Sequence, residues 1–494
     1  MAEELEEHDL SGEVRDRLEK VRRLEAAGIP AYVRSFHRTH TAAQARDLLG
    51  EGGGPTPEEV TVAGRLMFKR RFGKLTFAPL QDGSGDIQLA ANEGLLGPEA
   101  YGRFLELDPG DIVGITGPVF RTRKGEPTVE VRRLQLLSKS LRPLPEKWHG
   151  LKDVETRYRH RHLDLIANPE VREVFVRRSR IIAALRRFMD ERGFLEVETP
   201  VLMEVPGGGL AKPFVTHHKA LDMDLYMRIA LELHLKRLVV AGIDKVYEIG
   251  RVFRNEGLSP RHNPEFTMFE SYEAYADYED VMRMVEALVP AVAIAAGVPL
   301  EFTYQGEPID LSPPYPRRRM VDLIREHSGI DVLAVPDTVQ LRSAAGEAGV
   351  QVDATLSWGV VVNELYEKLV EPKLRSPIFV IDYPLDVSPL ARKHEDDPRF
   401  VERFELVCVG REIANAFTEL TDPLDQRRRF EAQTAAKAAG ADETHPMDED
   451  YLLTLEQAMP PTGGLGIGVD RLVMLLTDQP SIRDVLFFPH LRKI

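Results

Sequence analysis

The sequence predicts an α+β protein of several domains, a small β-barrel near the N-terminus followed by a larger domain of apolar strands and helices. Three observations predict this. The chain has 494 residues, which at roughly 100–200 residues per domain implies two to four domains and ample core. Residues 60–137 read as short strands separated by tight turns. Beyond residue 166 a long amphipathic helix leads into alternating strands and helices. Apolar residues make up 43% of the chain and charged residues 29%, which excludes a disordered or fibrous chain.

Residues 1–55 are expected to form a helical extension. Val14, Leu18, Val21 and Leu24 recur every three or four positions, the pattern stops at Gly28-Ile29-Pro30, and the tract Glu51 to Pro55 (EGGGP) marks a boundary. Residues 56–142 hold five strand-like runs (VTVAGRLMF, KLTFAPLQD, DIQLAA, DIVGITGPVFR, PTVEVRRLQLL) with a helical interruption near Pro98–Leu105. That order predicts a five-stranded barrel of the oligonucleotide-binding (OB) kind. Arg70, Arg71 and Lys74 beside Phe68, Phe72 and Phe77 suit a groove for single-stranded RNA, although rings at such positions also serve as barrel core. Residues 143–165 read as a linker or hinge. In the long helix Val174, Phe175, Ile181, Ile182, Leu185, Phe188 and Met189 share one face, and Gly193 ends it. Across 280–400 the signal weakens into mixed helices and loops, read as a helical insertion in a domain spanning 166–494.

The net charge of −15 disfavours a general nucleic-acid binder, but its distribution is uneven. Residues 61–142 carry 13 Lys/Arg against nine Asp/Glu, and Arg157 to Arg187 holds nine arginines against three acids. Local basic surface on an acidic body suits a protein that grips a polyanion in one place. The longest nearly apolar run, Ala287 to Leu300, is 14 residues with two prolines, too short to span a bilayer. The acidic N-terminus resembles no leader segment. The single cysteine, Cys408, excludes an internal disulfide and any Cys-based metal centre. A cytoplasmic protein with no membrane partner is the expectation.

Three segments place polar residues inside strand patterns, where burial is unfavourable unless they have work to do. In GRVFRNEGLSPRHNPEFTMFESY, Gly250, Val252 and Arg254 share one face of a first strand, and Phe266, Met268, Glu270 and Tyr272 share one face of a second. A fixed arginine there can clamp a phosphate by its bidentate fork. In ERFELVCVGREIANAFTELTD, a turn at Val409-Gly410 brings Glu405 and Glu412 onto one face, roughly 7–8 Å apart as diagonal neighbours. Two facing carboxylates call for a cation, and a hard divalent metal shared with phosphates answers. Asn415, Phe417 and Glu419 have the opposite parity, so a bulge is needed if all serve one site. In GGLGIGVDRLVMLL, glycines before Asp470-Arg471 suggest a close-approach turn opening a helix. Arg471 at a helix start opposes the dipole, which favours an anion-binding role. Neither a Walker nor a Rossmann fingerprint is present.

With these segments in order, the chain resembles the class II lysyl-tRNA synthetases. GFLEVETPVL, FRNEG…RHNPEFTMFE and GLGIGVDR match the three motifs of the class. RPLPEKWHGLKDVETRYRHRHLDLI, PGGGLAKPFVTHH, ELHLKRLVVAG, VSPLARKH and ANAFTEL match features of the lysine enzymes. The resemblance implies an antiparallel catalytic sheet surrounded by helices, with ATP, L-lysine and tRNA(Lys) as substrates, Mg²⁺ as cofactor, and a homodimer built through the motif containing Pro200. It implies that Arg254 contacts the α-phosphate and that Phe266 and Arg471 sandwich adenine. Glu256, His262 and Asn263 belong to the ATP site, and Glu405 and Glu412 hold Mg²⁺. Glu232 and Glu270 lie near the amino groups, Tyr272 and Glu419 grip the side-chain ammonium, and Asn415 and Phe417 line the same pocket. Phe77, Gln88 and Glu126 read the anticodon; no DNA partner is implied. His234, Leu231, Ser271 and Glu273 depart from the usual residues at flanking positions and bear on pocket shape. Two rival readings remain: a synthetase for aspartate or asparagine, and a catalytically altered paralogue acting as an RNA-binding protein.

Overall fold

The structure is a computed structural model that describes residues 11–49, 54–145, 151–209, 211–438 and 445–492. It divides into two compact units, residues 1–152 and 153–494.

In the first unit the expected helix spans Gly12–Ala26 and a capped helix Ala42–Asp47 precedes the barrel. The boundary tract at 51–53 lies outside the described residues. The barrel sheet has eight strands where five runs are expected. The fourth run breaks at Pro118, which has no N–H to donate, into Ile112–Gly117 and Val119–Arg121. The fifth divides into Pro127–Glu130, paired parallel to Gly85–Asn92, and Arg133–Ser138, which returns to pair with Ile112–Gly117. Arg70–Phe72 adds a short edge strand on Leu75–Asp82. The helical interruption is Glu93–Glu106, kinked at Gly97, and its Tyr101 and Phe104 complete the core with Leu80, Leu89, Val113, Ile115 and Val129.

The second unit opens where a linker is expected. Residues 146–150 lie outside the described residues, but Val154–Arg159 and Arg161–Ala167 are helices. Arg161 explains this: its guanidinium is fully buried, paired with Asp164 and donating to the carbonyls of Arg483, Leu486 and Phe487. The long helix runs Pro169–Asp190 and buries Phe175, Ile181, Leu185, Phe188 and Met189.

The main sheet has eight strands in the order Arg317–Arg319, Ile378–Pro384, Phe400–Cys408, Arg411–Thr418, Thr462–Gly468, Glu265–Ala274, Lys245–Phe253, Leu195–Glu196. Its interior pairs are antiparallel and its two edge pairs parallel. One face packs on the helices Pro169–Asp190, Tyr278–Ala295 and Val469–Leu476. Residues 280–400 are therefore not one insertion. Helix Tyr278–Ala295 belongs to the core, Arg317–Arg319 and Ile378–Pro384 belong to the sheet, and only the three helices between Met320 and Leu369 form a separate cluster. Those helices are the crossover that two parallel strands require. Among the described residues no helix is long and apolar enough to cross a membrane.

Candidate active site

The free face of the main sheet floors a cavity of about 360 Å³ within the second unit. Its floor is made by what the sheet lacks. Gly464, Gly466 and Gly468 stand opposite Tyr272, Glu270 and Met268 on one side, and Gly464 and Gly466 opposite Phe417 and Asn415 on the other. These glycines form the strand Thr462–Gly468 rather than the expected turn, and helix Val469–Leu476 follows directly. A Cβ at Gly464 would lie 1.9 Å from Glu419 Oε1 and 2.8 Å from Tyr272 Cε1. The alternation of glycine thus admits side chains from both neighbouring strands.

At one end lie the groups suited to a nucleotide. Arg254 leaves its strand with its N–H on the Pro264 carbonyl, and its guanidinium lies 5.2 Å from the Phe266 ring. The one hydrogen bond of that guanidinium among the described residues goes to the Ile229 carbonyl, at 3.4 Å, and burial lowers its pKa. Glu256 and His262 line the rim. His262 pairs through Nδ1 with Ser259 Oγ at 2.9 Å, and burial together with Arg471 lowers its pKa. Asn263 is buried, donating to the Glu265 carbonyl at 2.6 Å. Arg471, in the first turn of its helix, donates to Glu412 Oε2 at 2.8 Å, so the carboxylate answers the charge that the helix start disfavours.

Glu405 and Glu412 both line the cavity. Val409 and Gly410 have φ of 52° and 67°, the left-handed pair that a two-residue hairpin turn uses. Leu406 pairs with Ala414 but Val407 pairs with Glu412, leaving Ile413 as the extra residue of a bulge. That bulge is the one the parity of the sequence requires: it puts Glu412, Asn415 and Phe417 on one face. Burial, and then Glu412, push the Glu405 carboxyl up to about 7, while Arg403 donates to it at 2.7 Å. Among the described residues no cluster of three or more His, Cys, Asp or Glu forms a metal centre.

The closed end is acidic. Glu232 begins helix Glu232–Val240, and Glu419 follows strand Arg411–Thr418 with its N–H on the Thr462 carbonyl. Glu270 accepts from Leu231 N–H and from the Tyr272 hydroxyl, both at 3.0 Å. Burial and then Glu232 push the Glu270 carboxyl up to about 7. Glu419 Oε2 is ion-paired with Lys236, and its Oε1 accepts no hydrogen bond among the described residues. Asn415 accepts from Arg403 Nε at 2.9 Å, and Phe417 packs against the neighbouring glycine strand. Every cavity residue expected from the sequence is therefore brought together here.

Three residues escaped the sequence reading. Arg403 bridges Glu405, Asn415, the Val387 carbonyl and the Ser388 hydroxyl, although it sits two residues before Glu405 on the same strand. His445 accepts from Gly208 N–H at 2.9 Å and stacks on Phe430. Lys236, fully buried, ion-pairs with Glu232 and Glu419. Its i,i+4 spacing from Glu232 was the available signal, but such pairs read as solvated helix surface.

On the barrel, Phe77, Pro79, Gln88 and Ala90 share one face through the pairs Phe77↔Ala90 and Pro79↔Gln88. Gln88 accepts from Arg70 at 3.2 Å and donates to Thr128 at 3.0 Å. Phe72, 63% exposed, lies edge-on to Phe77, and neither ring joins the barrel core. Glu126 is exposed on the hairpin that leads into the Thr128 strand.

Residues 153–492 match the family described as "tRNA synthetases class II (D, K and N)", and residues 60–137 match the "OB-fold nucleic acid binding domain". The chain is 55% identical to a protein named lysine–tRNA ligase from Moorella thermoacetica, covering 96% of this chain and 97% of that one. It is 51% identical to the protein of the same name from Bacillus subtilis, with 99% of each covered.

Proposed function

Because the chain belongs to the lysine–tRNA ligases among the class II tRNA synthetases, its reaction is the ATP-driven joining of lysine to tRNA, and we propose which residues perform it. Lysine's carboxylate attacks the α-phosphorus of ATP, pyrophosphate leaves, and a ribose hydroxyl at the tRNA 3′ end then attacks the lysyl carbonyl of the adenylate, forming the ester and releasing AMP. The substrate supplies its own nucleophile, so catalysis is positioning plus neutralisation of charge that develops on phosphate oxygens. Arg254 holds the α-phosphate, Phe266 stacks beneath adenine and Arg471 covers its other face. Glu256, His262 and Asn263 complete the ATP site.

Mg²⁺ fits Glu405 and Glu412. The bulge turns both carboxylates to one face, and a pair is the number such an ion takes when phosphates fill the rest of its shell. Bound there, it would offset phosphate charge. At the closed end Glu232 and Glu270 take the amino group, and Tyr272 and Glu419 the side-chain ammonium, beside Asn415 and Phe417. The single observation carrying this reading is Glu419: a buried carboxylate whose Oε1 accepts no hydrogen bond among the described residues and lies beside a glycine of the cavity whose other end holds Arg254. An uncharged side chain would leave that Oε1 unsatisfied, at about 1–3 kcal/mol. An acidic one would meet three carboxylates, which disfavours the aspartate reading.

Phe77, Gln88 and Glu126 are assigned to the anticodon of tRNA(Lys). A homodimer through the segment around Pro200 is supported by the exposed apolar side chains of Leu195, Val201 and Leu202 beside it. We place the enzyme in the cytoplasm with its tRNA. ATP–pyrophosphate exchange with each of the twenty amino acids tests the assignment. Exchange with lysine alone is expected; strong exchange with another amino acid, or none with any, would overturn it.

A further inference from the structure

Lys236 is the most deeply buried cation of the acidic pocket, and the reaction as described does not use it. Its side chain has no solvent exposure, and its ammonium pairs with both Glu232 and Glu419. The Phe417 and Tyr272 rings lie 5.4 and 5.9 Å from that ammonium. Glu419 is divided between two directions. Oε2 faces Lys236, and Oε1 lies beside the space that a Gly464 side chain would fill.

The charges suggest why. Three buried carboxylates, Glu232, Glu270 and Glu419, surround the closed end. Lysine brings two ammonium groups, and its carboxylate is answered by Arg254. Two cations against three anions would leave one buried negative charge unpaired, a strongly unfavourable arrangement. The Lys236 ammonium is the third cation.

Resting on the lysine-pocket assignment above, we propose that Lys236 is a positioning residue that sets the charge of the substrate pocket, a fixed internal cation holding one oxygen of Glu419 so that the other is offered, ionised, to a single substrate ammonium. Burial drives the Glu419 carboxyl well up, and the Lys236 ammonium is the group that pulls it back. Burial would lower the pKa of Lys236, but Glu232 and Glu419 outweigh it and keep it charged. The other titratable groups facing this centre are Glu270 and Tyr272 on strand Glu265–Ala274, Tyr451 on helix Glu449–Leu455, and His445. Burial holds His445 neutral, its pKa down at about 4.

Without Lys236, burial keeps Glu419 protonated, and lysine must expel that proton to bind because only the ionised carboxylate can pair with its ammonium. The test is steady-state ATP–pyrophosphate exchange at pH 6.5–8.5 with the wild-type enzyme, Lys236→Met and Lys236→Arg. For Lys236→Met we expect the KM for lysine at pH 7.5 to rise at least about tenfold, with kcat and the KM for ATP changing less than about threefold. Between pH 7.5 and 8.5 the wild-type KM should be level, whereas that of the Met variant should fall up to about tenfold. Lys236→Arg, which keeps the charge, should restore the level profile. A Met variant with wild-type lysine KM and a parallel pH profile would overturn the proposal and leave Lys236 a structural ion-pair partner. So would an Arg variant with the steep profile of Met. If Lys236→Met does not fold, the Arg profile decides alone: level supports the proposal, steep overturns it. Absence of lysine-dependent exchange in the wild-type enzyme would instead refute the pocket assignment itself.

Discussion

Gly464 and Glu419 compete for one small volume from neighbouring strands, and the glycine yields it. Gly464→Ala puts a methyl where Glu419 Oε1 now lies, at 1.9 Å. We expect the lysine KM to rise at least about tenfold while the KM for ATP stays within about threefold, because the Arg254–Phe266 end is untouched; exchange kinetics check both. Glu270 gives a pH signature. Its carboxyl is raised to about 7 from 4.5, so the empty folded state holds a proton that the unfolded chain has lost. The empty enzyme therefore loses stability as pH rises through that window, and lysine's ammonium, favouring the ionised form, restores it. The rise in melting temperature produced by saturating lysine should be larger at pH 8 than at pH 6, as thermal denaturation with and without lysine would show. At this scale the sequence revealed residue types but not environments. Glu232 and Lys236 at i,i+4 look like solvated helix surface, and only the packing of Phe417, Tyr272 and Tyr451 around them makes the pair buried.

At the scale of elements, the hairpin Phe400–Cys408 and Arg411–Thr418 shows how far pattern carries. Strand parity alone set Glu412 against Asn415, Phe417 and Glu419, and Ile413 supplies the bulge that reconciles them. The glycine run before Asp470 misled because glycine disfavours strands. Here close approach of Glu419 and Tyr272 requires it, and propensity gives way to packing. Helix Val469–Leu476 is fixed by Arg178, which donates to Asp470 Oδ1 at 2.6 Å and to Thr267 Oγ1 at 3.1 Å, while Asp470 Oδ2 accepts from Thr267 N–H. Removing Arg178 leaves a buried carboxylate short of its cation. Arg178→Met should destabilise the catalytic unit by about 3–5 kcal/mol, read by urea denaturation. The barrel's fourth and fifth runs show the reverse limit: hydrophobic alternation continues through Pro118 and through Val131-Arg132, but strand pairing does not.

At the scale of the molecule, two units divide the work, a barrel carrying net positive charge and a catalytic sheet with an acidic pocket. The order of elements and the three motif segments were legible in the sequence, whereas the crossover between Met320 and Leu369 was not, because the strand that enters it, Arg317–Arg319, is only three residues long and lies at the sheet edge. Binding of tRNA(Lys) should weaken steeply with salt, and Arg71→Ala should reduce the magnitude of the log–log slope by about 0.7–0.9 if that guanidinium neutralises one phosphate. In the proposed reading, the arrangement from glycine floor to buried carboxylate selects one ammonium group. The most direct measurement is pyrophosphate exchange by wild type and Glu419→Gln with lysine and with norleucine, the same chain length without the charge. We expect the lysine kcat/KM to fall at least about a hundredfold in the variant, with the preference for lysine over norleucine largely lost. A variant that keeps its preference for lysine would contradict the account and place selection elsewhere in the cavity.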